Sequence, residues 1–223
     1  MDSKYKPKLK LAAQMVGLLR AAPTLINYRI ASKIIDKNRA FSLAAESVAA
    51  IPGLVGVYAR YAFYKQTLAH CGKDVCFGYM SIISKPDSRI GEAVCIGRHV
   101  SIGLVDIGHH SYISDDSQIL SGRHQHGSHT SEDRHEQEVC YTRVIIGSGS
   151  WIGANAVIMD NVGRSTIVGA GSVVTKPIKP HDKVVGVPAR SVKVIPKPKA
   201  NPTSSSQSKS ENQTSSLRLR PAA

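Results

Sequence analysis

The chain has 223 residues and carries 29 Lys and Arg against 16 Asp and Glu, a formal net charge of +13. That length suits one domain of ordinary size with appendages, and the ordinary apolar and charged fractions argue against global disorder. The four cysteines, Cys71, Cys76, Cys95 and Cys140, make no CxxC pair, and a chain of this length does not need disulfides, so they read as reduced, mostly buried thiols of a cytosolic protein. The charge lies at the ends: residues 1–70 are net +8, residues 71–175 net −3 and residues 176–223 net +8. Such ends either are simply solvated or meet an anionic membrane or a phosphorylated ligand. Nucleic acid is disfavoured, because no zinc-finger spacing, RNA-binding aromatic motif or recognition-helix pattern appears.

Residues 1–69 read as a basic helical N-terminal extension. Leu11, Met15, Leu18 and Leu19 recur at helical spacing behind Lys4, Lys6, Lys8 and Lys10. A second stretch, Leu25 to Val48, carries Ile26, Ile30, Ile34 and Ile35, and Pro52–Gly53 breaks it before a third, Leu54 to Leu68. Two roles fit: a helical cap on the domain, or a basic amphipathic anchor on a membrane surface. Arg20 interrupts the first apolar run and no cleavage site follows, so no secretory signal is expected. The uncharged run Ser47 to Ala59 is too short to span a bilayer.

From Ile90 the period changes to six. Ile or Val stands at 90, 96 and 102, at 107, 113 and 119, at 146, 152 and 158, and at 162, 168 and 174. The next residue is Gly or Ser in nine of these twelve cases, and the fifth position of each full unit is small or β-branched, as at Val94, Val100, Ser111, Ser117, Ser150, Ala156, Thr166 and Ser172. This period fits neither an α-helix nor a hairpin. It describes an all-β core of flat sides and tight corners: a parallel β-helix whose aliphatic residues stack inward, with small neighbours that let the corner turn and the next coil approach. The domain is assigned to residues 70–193. Leu120 to Ile145 breaks the period with a polar, histidine-rich segment that must project as a loop (residues 120–145), and such loops carry function disproportionately. Residues 194–223, rich in Pro, Ser, Lys, Asn and Gln, read as a disordered tail.

Three segments, Ile146–Gly147–Ser148–Gly149–Ser150–Trp151–Ile152–Gly153, Val168–Gly169–Ala170–Gly171–Ser172–Val173–Val174–Thr175–Lys176 and Gly186–Val187–Pro188–Ala189–Arg190, resemble the IGxxxWIG, IGAGSVVTK and GVPAR segments of the hexapeptide-repeat acyltransferases. The resemblance covers about residues 75–193 and implies a left-handed β-helix, an acetyl-coenzyme A co-substrate and a homotrimer with sites between subunits. Within that family, Ile119 to His126 is most like the catalytic loop of sugar O-acetyltransferases. One departure is the spacing of four, not six, between Ile158 and Val162.

The resemblance implies a loop histidine as general base, taking the proton of an acceptor hydroxyl as it attacks the thioester. Both His124 and His126 are candidates: the galactoside-type count places the base at His124, the streptogramin-type count at His126. Glu132, Asp133 and Glu136 are near enough to orient it, as is any backbone carbonyl. For coenzyme A the resemblance implies Trp151, Ala154 and Ala170 along the groove, Thr175 and Lys176 further on, and Arg190 with Lys193 at the phosphates. No metal is expected. The expected acceptor is a saccharide, such as a surface-polysaccharide or lipid-linked sugar precursor, met in the cytoplasm or peripherally at the membrane through residues 1–69. Two other readings are a gamma-type carbonic anhydrase using loop histidines, which the GVPAR ending disfavours, and a non-catalytic β-helix scaffold.

Overall fold

The computed structural model describes residues 6–122 and 141–192, with side chains from residue 11 onward. Three helices come first: α1 (Lys6–Ala31), α2 (Lys37–Ala49) and α3 (Gly53–Thr67). The sequence suggests a second helical stretch from Leu25 to Val48, but the chain instead breaks between Ala31 and Lys37. Asp36 is the reason. Its carboxylate accepts the Arg39 N–H at 2.9 Å and caps α2, supplying a partner that the start of a helix otherwise lacks. Pro23 lies inside α1 without ending it.

Short parallel strands follow, stacked as three faces of a β-helix. The inward residues form three columns. The first face stacks Cys71, Ile90, Ile107, Ile146, Val162 and the half-buried Ile178; the second Phe77, Ile96, Ile113, Ile152, Val168 and Val184; the third Ile83, Ile102, Ile119, Ile158 and Val174. This makes five complete coils and the start of a sixth. Each fully buried aliphatic side chain contributes about 1.5–3 kcal/mol, so the columns account for much of what holds the coils together. The repeat begins one coil before Ile90. Cys71 and Phe77 hide that coil from an Ile/Val pattern, because its free end packs on helices and not on another coil.

The helices close that end. Tyr28, Phe41, Phe63 and Tyr64 pack ring against ring, and Tyr64 meets Phe77 with centroids 4.6 Å apart. The Tyr64 hydroxyl accepts the Ile83 N–H at 3.0 Å. Buried Arg60 donates to the carbonyls of Phe77 (3.0 Å), Ala49 (3.2 Å) and Ile51 (2.8 Å), tying α2 and α3 to the first coil.

Corners divide two tasks that the sequence suggests for one residue. Where Gly follows an inward residue it serves close approach: a Cβ on Gly147 would lie 2.3 Å from the Arg164 nitrogen, and one on Gly153 2.5 Å from that of Ala170. The turn itself falls two residues later. Asp74, Met80, Ala93, His99, His110, Asp116, Asn155, Ser165 and His181 all take positive φ there. The fifth-position residues are buried, and several hydroxyls bind the neighbouring coil: Ser111 donates to Gly147 O at 3.1 Å, Ser117 to Gly153 O at 3.0 Å and Ser150 to Gly163 O at 2.8 Å.

The corner from third face to first face is the variable one. Successive inward residues across it are Ile83 to Ile90, Ile102 to Ile107, Ile158 to Val162 and Val174 to Ile178. The spacing of four is therefore the local rule of the last coils, repeated twice, and it leaves the columns in register. The long insertion after Ile119 leaves from this same corner. The tail, residues 194–223, lies outside the described residues.

Candidate active site

The ends of the segment that interrupts the coil are placed side by side as its root. The Thr142 N–H donates to Ser121 O at 2.9 Å, so the chain departs and returns at adjacent points. Arg143 donates to Asp87 O at 2.9 Å and to the Asp106 carboxylate at 2.5 Å, and the Lys85 ammonium sits 3.6 Å from the centre of the Tyr141 ring. A small cleft of about 150 Å³ opens there between Gly122, Thr142, Arg143, Met159, Asp160 and Asn161. His124 and His126, the expected bases, lie outside the described residues, as do Glu132, Asp133 and Glu136.

Below the root the coils are stacked by backbone hydrogen bonds. Leu120 N–H donates to Ile158 O, and Met159 N–H to Val174 O, both at 2.9 Å. Thr175 and Lys176 therefore sit two coils below the loop root, roughly 10 Å away at ordinary strand spacing. Thr175 is half-buried and Lys176 exposed.

Ala154 and Ala170 occupy the opposite edge of the third face. They stand at one corner in consecutive coils, and Gly171 N–H donates to Ala154 O at 2.8 Å. Between the two edges run the outward residues of the third face. From top to bottom this row is Ile82, which packs against the core at the helical end, then Ser101 and Gln118 above the loop root and Val157 and Val173 below it, so away from the helices it turns from polar to apolar at the level of the insertion. The corner column changes in parallel. In its upper coils Arg98 clamps Asp115 through its guanidinium (2.8 Å) and its own N–H (2.8 Å), which holds that carboxyl below its usual range. In its lower coils the column bears only Ala154, Ala170 and glycine, leaving backbone accessible.

Trp151 faces outward from the second face, half-exposed, its ring edge-on to Tyr112 at 6.2 Å and its indole N–H donating to Ser114 Oγ at 3.1 Å. It is therefore not core packing. Arg190, exposed, lies on a short strand (Arg190–Ser191) antiparallel to Lys183–Val185. The preceding Ala189 N–H donates to Val173 O at 2.8 Å, which carries the Gly186–Arg190 segment beneath the apolar strip. Lys193 lies outside the described residues. The structure thus sorts the expected coenzyme residues into two edges of one apolar strip, with Trp151 on the adjoining face. Among the described residues no group of three or more His, Cys, Asp or Glu is placed to hold a metal.

Sequence reasoning missed a thiol pair. Cys76 and Cys95 are in register on neighbouring parallel strands, half-buried and not enclosed in the core. The Cys95 thiol donates to Cys76 and, with burial opposing and the Arg60 charge assisting, brings the Cys76 pKa down to about 7; the same contact pushes Cys95 up. The period-two alternation beside Phe77 and Ile96 was the available signal.

No protein-family model matches the chain. The serine acetyltransferase of Salmonella typhimurium is 39% identical over 110 residues, covering 48% of this chain and 36% of that protein. The serine acetyltransferase of Escherichia coli is 37% identical over 110 residues with the same shares. The chain thus spans little more than a third of the length of these curated relatives. Among solved structures, a hexapeptide-repeat acetyltransferase of Vibrio cholerae complexed with acetyl-coenzyme A superimposes with a TM-score of 0.63 at 25% identity, over 73% of this chain and 90% of that one. A galactoside acetyltransferase in complex with coenzyme A gives 0.62 at 23%, over 71% and 82%, a likeness of fold alone.

Stacked six-residue strand-and-corner units in three parallel faces define a β-helix of the hexapeptide-repeat class. In fold the chain is similar to the hexapeptide-repeat acetyltransferases, and over 110 residues its sequence is similar to serine acetyltransferases.

Proposed function

We propose that the protein is an acyl-coenzyme A-dependent O-acyltransferase that moves acetyl from acetyl-coenzyme A to a hydroxyl of a saccharide, in the cytoplasm and as a homotrimer. The observation that carries this reading is the apolar strip of Val157 and Val173, which starts directly beneath the loop root. It is bordered by accessible backbone at Ala154 and Ala170 and by Thr175 and Lys176. A thin, flexible pantetheine arm suits such a strip: it needs apolar contact along its length and backbone partners for its two amides. Lys176 and Arg190, with Lys193, supply cations for the phosphates at the far end. Trp151 forms a wall on the adjoining face.

The chemistry follows from the acceptor. A sugar hydroxyl is too weak an acid to ionise near neutral pH, so a neutral imidazole, His124 or His126, takes its proton as the oxygen attacks the thioester carbonyl carbon. The tetrahedral oxyanion is held by N–H donors. It collapses with cleavage of the carbon–sulfur bond, and the imidazolium returns the proton to the departing thiolate.

The test follows free thiol while the protein meets acetyl-coenzyme A and a panel of saccharides, with His124→Ala and His126→Ala alongside. Loss of at least about 100-fold in kcat for one variant is expected for a general base. Wild-type turnover in both overturns the base assignment. A second reading, that the acceptor is the hydroxyl of serine, is favoured by the 39% match to serine acetyltransferase. L-Serine in the same panel separates the two.

A further inference from the structure

α1 is apolar on two opposite sides. One seam, Gly17, Ala21 and Leu25, is buried, and Gly17 is in such close contact with α3 that a Cβ there would lie 2.5 Å from the Tyr58 Cβ. The other seam consists of Leu11, Met15, Leu19, Ile26 and Ile30, spaced at three- and four-residue intervals if Ala22 is counted between them. These side chains are 53–70% exposed, and Ile34, just beyond the helix, is 76% exposed. The sequence leaves open whether these residues pack on the domain or face a membrane; the structure turns them away from the domain. A five-residue apolar seam along a helix about 39 Å long needs an occupant.

Charge identifies the occupant. The first turns of α1 contain Lys6, Lys8 and Lys10; Arg20 and Arg29 lie on the same helix; Lys33, Lys37 and Arg39 follow. Of the acidic residues in this region, Asp36 is engaged as the α2 cap. Residues 1–70 are net +8, so a second copy docked face to face would bring like charges together, whereas an anionic lipid surface neutralises them. No described helix is long and apolar enough to cross a membrane. The seam is a stripe on one side of a helix whose other side is fixed to α3, the form of a helix that lies in the interface plane.

We propose that the outer seam of α1 is a docking surface for an anionic bilayer, with Leu11, Met15, Leu19, Ile26 and Ile30 entering the headgroup–acyl boundary and the flanking Lys and Arg meeting lipid phosphates. This holds the site against a membrane-borne acceptor. Docking does not depend on the acceptor assignment and is read without acetyl-coenzyme A.

The test is flotation of the full chain with vesicles of phosphatidylcholine alone and of phosphatidylcholine with 30% phosphatidylglycerol (about 0.15 M salt). Most of the protein is expected to float with the anionic vesicles and at least fivefold less with the neutral ones. The triple variant Leu19→Ser, Ile26→Ser, Ile30→Ser, which alters only exposed positions, is expected to remain at the bottom with an unchanged melting temperature. Three results overturn the proposal: no flotation of the wild type with anionic vesicles, equal flotation of the triple variant, or absence of flotation together with a smaller sedimenting assembly in the triple variant. The last result would make the seam an interface between copies.

Discussion

Arg60 is the residue whose role is least visible from its neighbours in sequence. It lies in a helix rich in Tyr, Ala and Phe, where a cation reads as surface, yet it is buried and serves carbonyls of α2 (Ala49), of the link after it (Ile51) and of the first coil (Phe77). Arg60→Leu removes all of these side-chain hydrogen bonds, with the Ala49 carbonyl keeping the Met80 N–H, and is expected to cost about 3 kcal/mol, measured as a lower urea midpoint at constant m-value. Gly153 is the opposite case, a residue whose absence of a side chain is its function. Gly153→Val forces a side chain where the Ala170 backbone lies 2.5 Å from the Cβ position. It is expected to cost roughly 3 kcal/mol and to lower the melting temperature by on the order of 10 °C. Cys76 gives a titration test. Its thiolate is stabilised by the Cys95 S–H and by Arg60, so it reacts at lower pH than an ordinary thiol. The pH profile of iodoacetamide alkylation, followed by peptide mass, is expected to have its midpoint near 7 and to move upward in Cys95→Ala. An unmoved profile would show that Cys95 has no such influence.

Elements were legible wherever a local period expresses a buried face. The twelve Ile and Val positions from 90 to 174 all point inward, because a corner every six residues leaves one side chain per face with nowhere else to go. Two features defeated the same logic. The first coil lacks Ile or Val at two of its inward positions because it packs on aromatic rings. The helices have apolar spacing on both sides, and periodicity alone does not say which side is buried. The α1–α2 break was available from Asp36, a capping residue ahead of the Lys37–Ala49 run. Asp36→Ala is expected to cost about 1 kcal/mol, read as a small drop in urea midpoint without change in the β-helix signal in circular dichroism. At the candidate site the expected coenzyme residues could be named by resemblance. Their division into two edges of one strip could not, because it depends on which corner each coil turns.

At the scale of the whole molecule, the β-helix has a closed end and a working side. The helices cover the first coil, so the coil-to-coil hydrogen bonds that would otherwise end in an open edge finish against α2, α3 and Arg60. If the chain forms the proposed trimer, equilibrium sedimentation is expected to return three 24.0 kDa chains; a monomer at micromolar concentration would remove the proposed sites between subunits. The sequence by itself determined the coil, its inward residues, the place where it is interrupted and the family it resembles. All four follow from short-range rules: a six-residue period, small residues beside it and motifs within a few residues. Only the tertiary structure decided that the corner with the insertion is the one that varies throughout, and that an apolar strip begins beneath it. It also decided which apolar side of α1 faces outward, that of Leu11, Met15, Leu19, Ile26 and Ile30. Those facts depend on residues far apart in the chain meeting at one edge, and on which of two equally apolar sides a neighbouring helix covers.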